Sequence, residues 1–141
     1  MSAHYSGSFW AATENDLVIY ESRLELARLL FADFDASVRH IVAQPFLLRA
    51  EVDGDLRRHI PDYLLFTDAG PVVVDVKPRH RVARPENAFT FAWTQRTVES
   101  RGWRYEVSSE PHPKPFVWTK TADDILDTLA AYCSRINDSR H

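Results

Sequence analysis

Apolar residues change their spacing along the chain, and each spacing predicts an element. Within YESRLELARLLFADFD, residues 20–35, Leu24, Leu26, Ala27, Leu30, Phe31 and Phe34 recur at helical intervals behind Ser22, a residue suited to cap a helix N-terminus. This predicts a first helix. Residues 36–78, ASVRHIVAQPFLLRAEVDGDLRRHIPDYLLFTDAGPVVVDVKP, are rich in valine, leucine and isoleucine and are broken by the turn-forming DGD and DAGP. They predict three consecutive strands. A second helix is expected in RPENAFTFAWTQRTVESRGW, with Pro85 in its first turn and Gly102 at its end. Short strands follow at RYEVS and FVWTK, and TADDILDTLAAYCSRIND closes the chain as an amphipathic helix opened by Thr121. Residues 1–16 are small and polar, with Phe9 and Trp10 as anchor points, and read as an arm without a legible conformation. The order is α-β-β-β-α-β with additions, an α/β chain without internal repeat or linker.

Two aspartates and a lysine interrupt the most apolar part of this pattern, HIPDYLLFTDAGPVVVDVKP, residues 59–78. A turn at Asp68 and Ala69 sets Asp62 directly opposite Asp75; a slip of one residue sets it beside Val76 instead. Directly opposed carboxylates have Cβ atoms about 5 Å apart and destabilise a hairpin unless a cation cancels them. Alternation puts Val73, Asp75 and Lys77 on one face and Val72, Val74 and Val76 on the other. Two hard oxygen donors without a histidine or cysteine partner suit Mg²⁺ or Mn²⁺, which leaves positions for water and a phosphate oxygen. Lys77 then stabilises phosphate charge or orients the attacking water. The pattern points to metal-assisted phosphodiester hydrolysis. The plainer alternative is a solvated hairpin end, with Asp62 an ordinary turn or edge residue.

Composition narrows the setting. At 141 residues with 45% hydrophobic and 12% aromatic content, the chain fills one core and is too short for two ordinary domains. No run is long and apolar enough for a membrane span, and MSAHYSGSFWAATEND lacks the pattern of a secretory leader, so a cytoplasmic protein away from membranes is expected. The lone Cys133 excludes an internal disulfide and a cysteine-cluster zinc site, and none of the histidines has partners at zinc-ligand spacing.

A net charge of −3 means that any affinity for phosphates must come from a local patch. Arg79, His80, Arg81 and Arg84 beyond Lys77, with Arg57, Arg58 and His59 before Asp62, form either a phosphate-tracking rim or solvated loops. Gln44 either orients a strand end or reaches the site. Trp10, Trp93, Trp103 and Trp118 read as packing residues rather than base-stacking platforms. Ser22 and Glu25 have the S-x-x-E spacing of a capping box, and Glu25 lies away from the arc of Leu26, Ala27, Leu30 and Phe34, so by itself it reads as a cap.

The motifs SRLELARLL, FDASVRHIVAQPF, PDYLLF and VVVDVKP, followed by a helix and the strand after ESRGW, resemble the PD-(D/E)xK nuclease superfamily. Within it they are most similar to the TnsA-type endonuclease subunit of heteromeric transposases. The likeness covers residues 20–110. It implies a restriction-endonuclease-like αβββαβ core with a mixed central sheet flanked by helices, spanning residues 17–120 between the arm and a C-terminal helix at 121–141 packed on the domain or extending it. It further implies Glu25, Asp62, Asp75 and Lys77 as catalytic residues, with Glu21 as a rival to Glu25. Mg²⁺ or Mn²⁺ would be held by Glu25, Asp62, Asp75 and the backbone carbonyl of Val76. Arg57, Arg58, Arg79, His80, Arg81 and Arg84 would contact DNA.

Two departures matter. Some TnsA-like enzymes carry glutamine where this chain has Asp75, and the aspartate favours activity. The family often adds a winged-helix-like domain, which the residues after the core are too few to build, so its contacts are not expected here. The resemblance implies double-stranded DNA and a transposase or other protein as partners, and leaves a homodimer open. Three function classes follow: an endonuclease cutting transposon ends to give 5′-phosphate and 3′-hydroxyl products, a nuclease in restriction, phage DNA processing or repair, and a non-catalytic binding module. Opposed carboxylates beside a lysine argue against the third.

Overall fold

The computed structural model describes residues 6–109, which form a mixed α/β structure around a four-stranded sheet. The sheet order is β3 (Val38–Ala43), β6 (Tyr63–Thr67), β7 (Gly70–Val76) and β8 (Arg104–Ser108). The first three are antiparallel; β8 runs parallel to β7, reached through the crossover helix α3 (Pro85–Glu99). Helix α1 (Arg23–Phe34) packs on one face. Two of the three expected helices and the mixed sheet are therefore present, while FVWTK, the closing helix, Trp118 and Cys133 lie outside the described residues.

The valine run in β7 is explained by burial on both sides. Val72, Val74 and Val76 pack with Leu29, Ala32, Tyr63 and Leu65 beneath α1, while Val73 packs with Leu64, Val98, Trp103 and Tyr105 toward α3. A strand covered on both faces reads as continuous apolar sequence rather than alternation. Each such valine contributes roughly 1.5–3 kcal/mol of transfer free energy. Helix α3 starts at Pro85, whose fixed φ suits a first helical turn, and ends where Gly102 takes φ +78°.

Three expectations need correction. Residues 36–78 hold five strands, not three: DGD closes its own ribbon, β4 (Leu48–Val52) with β5 (Asp55–His59), outside the central sheet. Asp53 and Gly54 have φ of 53° and 85°, the backbone of a tight hairpin turn, so pairing closes locally.

The second correction concerns the arm reading, which gives way to a hairpin of β1 (Gly7–Ala11) and β2 (Asp16–Tyr20), with Ala11 and Val18 in the core. Asp33, fully buried, accepts the amides of Ala12 (3.1 Å) and Thr13 (2.8 Å) and so pins the turn to α1.

The third is the α1 stripe. Leu29, Ala32, Asp33 and Phe34 are buried whereas Leu30 is exposed, because α1 is covered by both this hairpin and β7. Glu25 lies one turn before Leu29 on the inward stripe, not away from it.

Among the described residues no helix is long and apolar enough to cross a membrane.

Candidate functional site

The β6–β7 register carries the site. Thr67 faces Gly70 and Tyr63 faces Val74, so Asp62, one residue before β6, faces Asp75 near the end of β7. Pro61 is buried and fixes the approach to Asp62. The two strands then exchange hydrogen bonds through side chains. The Asp62 amide donates to Asp75 Oδ1 (3.3 Å), and the Val76 amide donates to Asp62 Oδ2 (2.7 Å).

Asp75 is 2% exposed and has two further partners. His59 Nε2 lies 2.8 Å from its Oδ2, and the Tyr105 hydroxyl donates to the same oxygen. His59 ends β5 and meets the Trp93 ring edge-on. Tyr105 stands opposite Val73 in the parallel β7–β8 ladder. Burial and the charge of Asp75 push the Tyr105 hydroxyl above its ordinary pKa, so it remains a donor at neutral pH.

Glu25 reaches the same region from α1. Its amide donates to Ser22 Oγ (3.0 Å), so the capping reading holds for its backbone. Its Oε2 accepts from the Ser22 hydroxyl (3.5 Å), and its Oε1 accepts from the Tyr63 hydroxyl (3.1 Å), which also lies 2.8 Å from the Ile19 carbonyl. Burial raises the Glu25 pKa, opposed by the hydrogen bond from Tyr63. Burial likewise pushes Asp62 up to about 7, opposed by the Val76 amide and reinforced by the charges of Glu25 and Asp75. A carboxylate whose pKa is raised by burial and by two neighbouring acids marks a place where a cation is favourable.

Glu25, Asp62, Asp75 and Lys77 line one cleft of about 890 Å³, with Glu21, His59, Val76, Arg81 and Asn87 along its walls. The Lys77 amide donates to the Ser108 carbonyl (3.0 Å), and among the described residues its ammonium has no ion-pair partner. The donor chemistry fits a hard divalent cation: four carboxylates border the cleft, Glu21 just before α1, Glu25 within it, Asp62 just before β6 and Asp75 near the end of β7. They are not gathered into a finished cage, since among the described residues no three histidine, cysteine, aspartate or glutamate side chains form a metal-ready group. Val76 borders the cleft and gives its amide to Asp62.

The remaining sequence candidates separate in space. Glu21 is exposed and accepts from Gln44 Nε2 (3.2 Å); unlike Glu25, it is not among the charges that raise Asp62. Gln44, at φ 45°, donates its amide to the Asp62 carbonyl (2.8 Å), so it orients the strand end. Arg81 lines the cleft from the short helix α2 (Arg79–Val82), with Arg79, His80 and Arg84 exposed beside it. Arg57 lies over the Phe89 ring at 5.0 Å, while Arg58 is exposed.

Sequence reasoning missed His59, Tyr63 and Tyr105 as site residues. Tyr63 is adjacent to Asp62, but its role needs α1 in place. His59 was legible only as part of a basic run, and Tyr105 required the parallel pairing of β8. Compared with known protein families and with curated proteins, the chain matches none.

Proposed function

We propose that this chain is a divalent-metal-dependent DNA endonuclease of the PD-(D/E)xK type, similar to TnsA-type subunits. One observation carries the reading: Glu25 from α1, Asp62 before β6, and Asp75 and Lys77 at the end of β7 border the same cleft. A bound Mg²⁺ or Mn²⁺ would supply charge neutralisation at a scissile phosphate and a more acidic water. Glu25, Asp62 and Asp75 would hold it. The chain's own contributions are distinct from that. His59, Tyr105 and the Asp62 amide fix the Asp75 carboxylate, and the Val76 amide fixes Asp62. Lys77, whose ammonium has no ion-pair partner among the described residues, would stand where phosphate charge grows. Arg81, with Arg79, His80 and Arg84 nearby, would track the backbone entering the cleft. A partner transposase, a homodimer, a cytoplasmic setting and action at transposon ends rest on the resemblance alone.

A second reading has its own support. Asp75 already accepts from three donors, and carboxylates so satisfied also suit a binding module that no longer cuts. Incubating supercoiled plasmid with the chain and Mg²⁺ or Mn²⁺, with and without a candidate transposase, separates the two. The endonuclease reading expects nicked or linear product that Asp62→Asn abolishes. Plasmid that is bound but stays supercoiled under every condition leaves the binding module.

A further inference from the structure

The outward face of the β4–β5 ribbon carries charge that is not ion-paired among the described residues. Its register pairs Arg49 directly with Arg58. Opposed side chains have Cβ atoms about 5 Å apart, where two like charges cost stability. Among the described residues neither guanidinium has an ion-pair partner. Glu51, the acidic residue on the same face, stands opposite Leu56 and pairs with neither.

The inward face explains why the arginines point outward. Leu48, Ala50 and Val52 alternate as half-buried positions on the α3 side, where His59 meets Trp93 and Arg57 lies over Phe89. Continuing the outward alternation, Leu47, Leu56 and Ile60 are 44%, 59% and 51% exposed. The ribbon is rooted at the cleft, since His59 ends β5 and lines it. A two-stranded ribbon also has the width that a duplex major groove of about 12 Å admits.

We propose that this outward face, through Arg49 and Arg58, binds duplex DNA beside the cleft and sets which stretch of it enters. The identity of the partner rests on the endonuclease reading. Phosphates supply the counter-charge the opposed arginines lack, and the flanking leucine and isoleucine side chains cover sugar and base-methyl surface.

The test is equilibrium binding of a duplex of about two helical turns in metal-free buffer, so that binding is read apart from cutting. The Arg49→Ala/Arg58→Ala double variant should bind about tenfold more weakly, and its slope of log affinity against log salt should fall by about 2. Arg39→Ala, which removes an exposed arginine already 2.8 Å from Asp68, should bind as the native chain does. The double variant should melt no lower than the native protein, because a like-charge pair is removed.

Unchanged affinity and slope in the double variant overturn the proposal while leaving the cleft reading intact. A native dimer that Leu56→Ser dissociates, with duplex affinity unaltered, makes the face a protein interface and also overturns it. A native chain that binds duplex but never cuts removes the endonuclease reading, with the ribbon still judged on its arginine variants. A native chain that binds no duplex removes both.

Discussion

Asp62 and Asp75 face each other at the open end of the β6–β7 hairpin, and each carboxylate is held by an amide of the other strand. Asp75 accepts from the Asp62 amide and Asp62 from the Val76 amide. The cross-strand repulsion is thus partly offset by the backbone and partly by protonation, since Asp62 is pushed up to about 7. A cation that displaced this proton would complete what the backbone begins.

Mn²⁺ should raise the melting temperature of the native chain. Ligand present at a hundredfold over its dissociation constant adds about 2.7 kcal/mol to folding, a shift of several degrees. Asp75→Asn should lose most of the rise. Melting curves over a millimolar Mn²⁺ series decide it, and superimposable native curves count against a cation site.

Without metal, Asp62 should make stability fall as pH rises. Its folded pKa of about 7 lies above its ordinary value of 3.8, so the folded state binds more protons between these values and the unfolded state fewer. Stability from this group is whole below pH 4 and is lost as pH climbs toward 7, on the order of a few kcal/mol in total. Urea titrations of native and Asp62→Asn proteins at pH 5 and pH 8 check this. The native chain should lose more stability between the two than the variant does.

Tyr63→Phe should destabilise the fold by about 1–2 kcal/mol, because the Ile19 carbonyl and Glu25 both lose the hydroxyl within reach. The measurement is the urea midpoint at constant slope. A midpoint equal to the native one means the hydroxyl contributes nothing net.

Lys77→Ala should slow cleavage by at least about 100-fold at saturating Mn²⁺ and DNA, with duplex affinity nearly native. Arg81→Ala should do the opposite, weakening binding by about one phosphate contact and slowing cutting only at subsaturating DNA. Native-rate cutting by the lysine variant at saturation makes Lys77 a strand-end charge.

Local chemistry alone determined a good part of this protein. Ser22 marks where α1 starts, Pro85 and Gly102 bound α3, and the DAGP turn sets Asp62 against Asp75, because caps and two-residue turns depend only on near neighbours. Tertiary structure decided the rest. The DGD turn closes its ribbon locally, but that the ribbon stays outside the central sheet and packs toward α3 was settled by the tertiary arrangement. The inward side of α1 was chosen by the β1–β2 hairpin and β7 together, which turned Glu25 from an outward-reading cap toward Tyr63 and Asp62. His59 and Tyr105 reach Asp75 across 16 and 30 residues. No local spacing encodes such a meeting; only strand pairing and burial bring those groups within hydrogen-bonding distance.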